Sequence, residues 1–142
     1  MRLSIAAPGP GVVVTRHRVR VGYVDTDKAG IVHHSVYLVW FEAARIEYLR
    51  ERDLDYRRFE IETGLALPVI ETHLRHRAPA RFDDELIVTT WVSKCSRAMV
   101  AFESRITRGD DILCESRILL ACANVREEHA VSLPEAVTRA CS

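Results

Sequence analysis

Apolar residues recur with a helical period in the first half of this chain and with a two-residue period in the second. Over residues 37–53 the apolar positions fall three and four apart, which is the spacing of one face of an amphipathic helix. Ser35 stands where the N-cap of that helix is expected. A second, short helix is predicted over Tyr56–Thr63, ending at Gly64.

The alternating runs beyond Gly64 predict four strands, over residues 67–77, 85–94, 99–108 and 112–126. An earlier strand is predicted over residues 16–23, and Gly109-Asp110-Asp111 is the strongest hairpin signal. A terminal helix is predicted near the C-terminus, over residues 134–140. The order predicts an α+β fold in which a five-stranded antiparallel sheet wraps around one long central helix. The exposed strand edges of such a sheet favour pairing with a second subunit.

The composition is that of one soluble globular domain. The chain has 142 residues, of which 48% are hydrophobic and 28% charged. Pro8-Gly9-Pro10-Gly11 interrupts the apolar N-terminal run, so we expect residues 1–14 to form a flexible leader and residues 15–142 a single domain. No run is long enough to insert in a membrane, and a cytoplasmic location is predicted.

The charge balance, the cysteine spacing and the histidine positions argue against a nucleic-acid partner, a disulfide framework and a metal site. Twenty basic and twenty acidic residues give no net charge, so we expect no nucleic-acid partner. The cysteines form no Cys-x-x-Cys pair and are predicted to be reduced thiols. His33 and His34 are adjacent in a turn without a third suitably spaced ligand, so no metal site is predicted.

Chemically reactive groups concentrate at the start of the long helix, in the stretch Asp25-Thr26-Asp27-Lys28-Ala29-Gly30-Ile31-Val32-His33-His34. A carboxylate there can act as base or nucleophile, while N–H groups of the first helical turn can hold a carbonyl oxygen. The simpler alternative is that Asp27 only caps backbone amides of its loop. Asp25 is interpreted as a structural partner. No Gly-x-Ser-x-Gly motif and no cysteine in a catalytic context is present.

Residues 23–37, followed by Phe41-Glu42-Ala43-Ala44-Arg45, resemble the hot-dog-fold acyl-CoA thioesterases. The similarity is to the 4-hydroxybenzoyl-CoA and Tol-Pal-associated branch, and it extends over residues 15–126. The resemblance implies a thioester hydrolase with the hot-dog fold. It also implies a homo-oligomer, either dimer or tetramer, and no cofactor other than the coenzyme A of the substrate.

The resemblance assigns the catalytic residues by position. Asp27 corresponds to the catalytic carboxylate, as nucleophile or general base. The backbone N–H of His34 corresponds to the donor that polarises the thioester carbonyl, and its side chain would position substrate or water. Gly30 corresponds to the residue that permits the tight turn between them.

Three further residues are assigned to substrate binding. Glu42 corresponds to a position that faces the distal hydroxyl of the acyl group in the hydroxybenzoyl branch. Arg97 lies near a basic turn that holds coenzyme A phosphates from a neighbouring subunit. Tyr37 is expected in the core, where it can also line the acyl pocket.

The sequence departs from the family pattern at Lys28, His33 and Val36. These departures leave the preferred acyl group open. Two alternatives to an acyl-CoA thioesterase also stay open, namely a thioesterase acting on an acyl-carrier protein and a non-catalytic acyl-CoA-binding module.

Overall fold

The computed structural model describes residues 3–142. Its elements in chain order are β1 (Thr15–Arg20), a 3-10 turn (Tyr23–Asp25), α1 (Val36–Arg50), α2 (Tyr56–Thr63), β2 (Leu65–Ala66), β3 (Val69–His76), β4 (Glu85–Cys95), β5 (Val100–Arg108), β6 (Asp111–Leu120), β7 (Cys122–Asn124), β8 (His129–Val131) and α3 (Glu135–Ala140).

Five strands form one antiparallel sheet in the order β1-β4-β5-β6-β3. The long helix α1 packs on this sheet, against β1 and β4 among other strands. Phe41 and Ala44 are fully buried, and the ring of Tyr48 meets that of Phe102 edge-on at 5.3 Å. Burial of this helix face supplies the core, which confirms the predicted α+β architecture.

Local capping sets the helix ends. The side chain of Asp55 accepts a hydrogen bond from the Arg58 N–H at 3.1 Å, and Gly64 adopts a left-handed φ of 68° after the last turn. Both bounds of α2 therefore agree with the prediction. The first helix ends earlier than predicted, at Arg50, because Asp53 takes a φ of 62° and turns the chain away.

The last predicted strand is broken in two, so the prediction of a single strand over residues 112–126 is wrong. After β6 ends, the Ala121 N–H donates to the Pro68 carbonyl at 3.0 Å. The chain then forms β7, which pairs with β2 and β8 in a separate three-stranded sheet. Strands of two or three residues are too short to show an alternating pattern, so the sequence does not reveal this sheet.

The N-terminal segment contacts the five-stranded sheet through Leu3 and Ile5. Ile5 is only 5% exposed, and its carbonyl accepts a hydrogen bond from Arg105 Nη2 at 2.6 Å. Met1 and Arg2 lie outside the described residues, and the flexibility of residues 1–14 stays a prediction. Within the described part of the chain, no helix has the length and hydropathy needed to cross a membrane.

Candidate active site

Backbone hydrogen bonds fix the acid-rich turn that precedes α1. The Asp27 N–H donates to the Ile31 carbonyl at 2.8 Å, and the Asp27 carbonyl accepts from the Gly30 N–H at 3.0 Å. Gly30 has a φ of 83°, in the left-handed region that a side chain disfavours. The glycine therefore allows the tight turn that presents Asp27.

The two aspartates of this turn have different surroundings. One carboxylate oxygen of Asp25 accepts the Gly22 N–H at 2.8 Å, and the Asp25 carbonyl accepts the His33 N–H at 2.9 Å. The Asp27 carboxylate accepts only the Ala29 N–H, at 2.8 Å through Oδ1. Within residues 3–142 no group donates to its Oδ2, which is left available to a substrate or a water.

The start of α1 leaves a backbone donor free. Ser35 occupies the predicted N-cap position, but its hydroxyl lies 2.7 Å from His33 Nδ1 instead of capping the helix. The Ser35 N–H also points to His33 Nδ1, at 3.2 Å. Among the described residues the His34 N–H has no hydrogen-bond partner. It lies at the positive end of the helix dipole.

A cavity of about 390 Å³ brings the predicted catalytic groups together. Asp27, His34 and Tyr37 line it, and Ala78 and Pro79 contribute to its apolar wall. A concave apolar site with a few convergent polar groups is the usual form of a small-molecule site.

Tyr37 joins this cavity to the core. The residue is 3% exposed, and its hydroxyl accepts the Ala80 N–H at 3.1 Å. Burial raises the pKa of Tyr37, so its side chain stays a neutral phenol at physiological pH. Its ring also lies edge-on to that of His76, with centroids 5.0 Å apart.

His76 and Arg77 also line this cavity, although neither was predicted at the site. Burial and, to a lesser degree, the nearby His34 lower the pKa of His76, which favours its neutral imidazole. Both residues stand just before Ala78-Pro79-Ala80, the segment that follows the end of β3. That position was the available signal, because residues at strand ends often line binding sites.

A buried carboxylate holds Arg77 in place. The Glu115 side chain is 1% exposed; it accepts Arg77 Nε at 2.6 Å and Arg105 Nε at 3.0 Å. Two guanidinium groups around one carboxylate leave a net positive charge. Because the Arg77 side chain is 38% exposed, part of that charge faces the cavity.

Two residues that were predicted to bind substrate, Glu42 and Arg97, do not line this cavity. Glu42 lines a second cavity, of about 300 Å³, on another face of α1. Arg97 lies in the turn between β4 and β5, where its Nε donates to the Ser132 hydroxyl at 3.2 Å. A single chain therefore assembles Asp27, His34 and Tyr37 without Glu42 or Arg97.

The described residues include no group of three His, Cys, Asp or Glu side chains placed to hold a metal ion. The first cavity instead offers a free carboxylate oxygen and a free backbone N–H. These groups suit attack on a carbonyl whose oxygen gains negative charge.

Comparison with known proteins identifies the family. The model of the thioesterase superfamily matches residues 29–115, which is more than half of the chain. Over 122 residues the chain is 36% identical to an acyl-CoA thioesterase, YbgC, of Haemophilus influenzae, covering 86% of this chain and 90% of the relative.

Solved structures agree on the fold. A hypothetical protein from Thermus thermophilus superposes with a TM-score of 0.84 and 37% identity, covering 91% of this chain and 95% of the other. A 4-hydroxybenzoyl-CoA thioesterase superposes with a TM-score of 0.82 at 23% identity, covering 91% and 99%. The predicted resemblance is confirmed: the chain belongs to the thioesterase superfamily and has its hot-dog fold.

Proposed function

We propose that this protein hydrolyses acyl-CoA thioesters, with Asp27 as the reacting carboxylate and the His34 N–H as the oxyanion donor. The observation that carries the proposal is that Asp27, with a free Oδ2, and His34, with a free N–H, line one cavity. The Haemophilus influenzae relative, named as an acyl-CoA thioesterase, supports the choice of substrate.

The first step places the thioester carbonyl oxygen against the His34 N–H. The helix dipole and this donor stabilise the negative charge that develops as the carbonyl carbon becomes tetrahedral. Because the turn is already fixed by backbone hydrogen bonds, the donor needs little reorganisation during the reaction.

Asp27 then acts by one of two routes. As a nucleophile, its carboxylate oxygen bonds to the carbonyl carbon, the C–S bond breaks, and coenzyme A leaves as the thiolate. Water then opens the resulting mixed anhydride to the free acid and the regenerated carboxylate. As a general base, Asp27 takes a proton from a water whose oxygen attacks the carbonyl carbon directly; the C–S bond then breaks, and the departing thiolate of coenzyme A takes up the proton, which regenerates the Asp27 carboxylate. Rapid-quench mass spectrometry distinguishes them, because only the first route adds the acyl mass to the protein.

Arg77 supplies positive charge at the cavity. Glu115 fixes its Nε, so the guanidinium loses little further freedom when an anion approaches. Coenzyme A is polyanionic, and we infer that this charge favours its entry.

We further propose that the enzyme is a homo-oligomer. The edge strand β3 exposes Val69 and Ile70 at 47% and 53%, and α1 exposes Leu38 and Val39 at 41% and 63%. Covering these apolar side chains favours association. A neighbouring chain would also bring a second Glu42 and Arg97, and light scattering of the purified protein measures the subunit number.

The function is tested by thiol release from matched thioesters. Benzoyl, hydroxybenzoyl, short-chain and long-chain acyl-CoA are compared with the same acyl groups on a carrier protein. Faster release from the coenzyme A esters supports the proposal, and faster release from the carrier-protein esters favours that alternative. Saturable acyl-CoA binding without thiol release would show a non-catalytic module. Asp110→Asn, at an exposed hairpin position that does not line the cavity, is the matched control for Asp27→Asn.

A further inference from the structure

Arg45, on α1, is a buried cation. The residue is 7% exposed, and its Nη1 has neither solvent contact nor a hydrogen bond. Among the described residues its side chain makes no hydrogen bond and no salt bridge. The sequence pattern predicts local ion pairs on this helix, and Glu47 and Arg50 do form one, but Arg45 does not.

This burial is costly. A guanidinium presents five N–H donors and keeps its proton, so it needs acceptors when it leaves water. Burial lowers the pKa of Arg45, the direction expected for a charge poorly compensated by its surroundings. The missing acceptors have to come from outside the described chain.

Arg45 lines the second cavity, of about 300 Å³. Its wall is largely aliphatic, with contributions from Ile46, Leu49, Leu67, Pro68, Val69 and Leu120. The cavity therefore combines an unsatisfied cation with room for an apolar group of several carbon atoms.

The other polar groups of the cavity do not neutralise Arg45. Glu42 is exposed and lies beyond salt-bridge distance of the guanidinium, although its charge is near enough to favour the protonated form. The Tyr56 hydroxyl already accepts the Leu67 N–H at 2.8 Å. A carboxylate is the acceptor that matches a guanidinium best, because its two oxygens can accept two parallel N–H bonds.

We propose that this second cavity binds a carboxylate carried on an apolar body, with Arg45 as the binding cation. The ligand is either a free carboxylic acid or the distal carboxylate of an acyl group attached to coenzyme A. The second source rests on the proposed thioesterase function, and the first does not.

The binding test uses the full chain, with hexanoate as probe and hexanol as its uncharged match. Hexanoate is expected to raise the Tm of the wild type, and hexanol is not. Arg45→Met should weaken hexanoate binding in calorimetry roughly tenfold or more, since hydrogen bonds to charged groups are lost. Arg50→Met, the same change at an exposed position of α1, should leave binding unchanged.

Two further variants separate binding from a structural role. Without ligand, Arg45→Met should raise the Tm by a few degrees, because an apolar side chain replaces an unpaired charge. Arg45→Lys should bind hexanoate less tightly than the wild type, since it lacks the planar fork. Glu42→Gln should tighten hexanoate binding by removing a like charge; a binding site for a hydroxyl donor would respond in the opposite way.

The source of the carboxylate is determined with adipyl-CoA and hexanoyl-CoA. If the ligand is the acyl end, Arg45→Met lowers kcat/KM for adipyl-CoA and leaves that for hexanoyl-CoA unchanged. If the ligand is a free acid, both values stay unchanged while hexanoate still binds through Arg45. Failure of the wild type to hydrolyse these two esters and every other acyl-CoA of the panel contradicts the proposed function alone, because the binding test does not depend on turnover.

Three results would overturn the carboxylate site. Equal effects of hexanoate and hexanol on the Tm would show that the charge of the ligand plays no part in binding. Unchanged hexanoate affinity in Arg45→Met would show that Arg45 is not the cation that binds the carboxylate. A changed subunit number in Arg45→Met, together with no hexanoate binding by the wild type, would show that a neighbouring chain satisfies the guanidinium.

Discussion

The carboxylate of Glu115, on β6, accepts a hydrogen bond from Arg77 Nε at 2.6 Å and so connects the sheet to the candidate active site. Arg77 follows the last residue of β3, the strand beside β6, and lines the cavity that contains Asp27. A buried residue remote from the reacting atoms thus fixes the position of a charge at the site.

Glu115→Gln is expected to weaken both stability and substrate binding. Gln cannot compensate the charges of Arg77 and Arg105, although both arginines retain some contact with water. We expect a loss of about 1–3 kcal/mol in the free energy of unfolding, measured by urea denaturation. KM for acyl-CoA should rise more than kcat falls. Glu135→Gln, which removes an exposed ion pair with Arg139, should change neither.

Tyr37→Phe should destabilise the protein although it leaves the packing of the aromatic ring in the core unchanged. The change removes the acceptor of the Ala80 N–H, which is completely buried. An unsatisfied buried donor costs about 1–3 kcal/mol, measurable by urea denaturation. An unchanged free energy of unfolding would show that Ala80 finds another acceptor.

Gly30→Ala tests the conformation of the catalytic turn. No atom lies within 4 Å of the position of an added Cβ, so the cost comes from the positive φ alone. We expect a loss of about 1–2 kcal/mol in stability together with lower kcat. Gly9→Ala, where there is equal space and no positive φ, should behave as wild type. Equal stability of the two variants would contradict this account of Gly30.

His76 should make stability depend on pH. Its folded pKa is lowered, so the unfolded chain binds the proton more readily, and stability falls as pH drops from the unfolded value of 6.5 through the folded pKa. Urea denaturation at about pH 7.5 and about pH 5.5 should show a smaller loss for His76→Gln than for the wild type. His129→Gln, at an exposed strand, should keep the wild-type loss, and an equal loss in His76→Gln would contradict the interpretation.

The sequence predicts those elements whose signals are local. The C-terminal end of α2 is predicted because Gly64 marks it, and the hairpin at Gly109 joins β5 to β6 as predicted. The small sheet of β2, β7 and β8 is missed because its pairing depends on contacts distant in sequence, such as Leu65 with Asn124.

The residues of the candidate site are likewise predictable only where they are close together in sequence. Asp27, Gly30 and His34 are close in sequence, so their pattern is visible in one segment. His76 and Arg77 join them only through the fold, and each alone has the appearance of an ordinary polar residue of a strand. The environment of Arg45 could not be predicted from the sequence either. Helical spacing predicts which residues are its neighbours on the helix, but it does not predict that Arg45 is buried.

Turnover of Asp27→Asn with the best acyl-CoA substrate found for the wild type shows whether Asp27 is the reacting carboxylate. Asn keeps the shape and the Oδ1 acceptor for the Ala29 N–H, so the fold and substrate binding should persist. We expect kcat to fall by roughly 10²–10⁴ while KM changes only a few-fold, since the carboxylate acts in the transition state. Near wild-type kcat in a correctly folded Asp27→Asn protein would show that another group carries out the reaction.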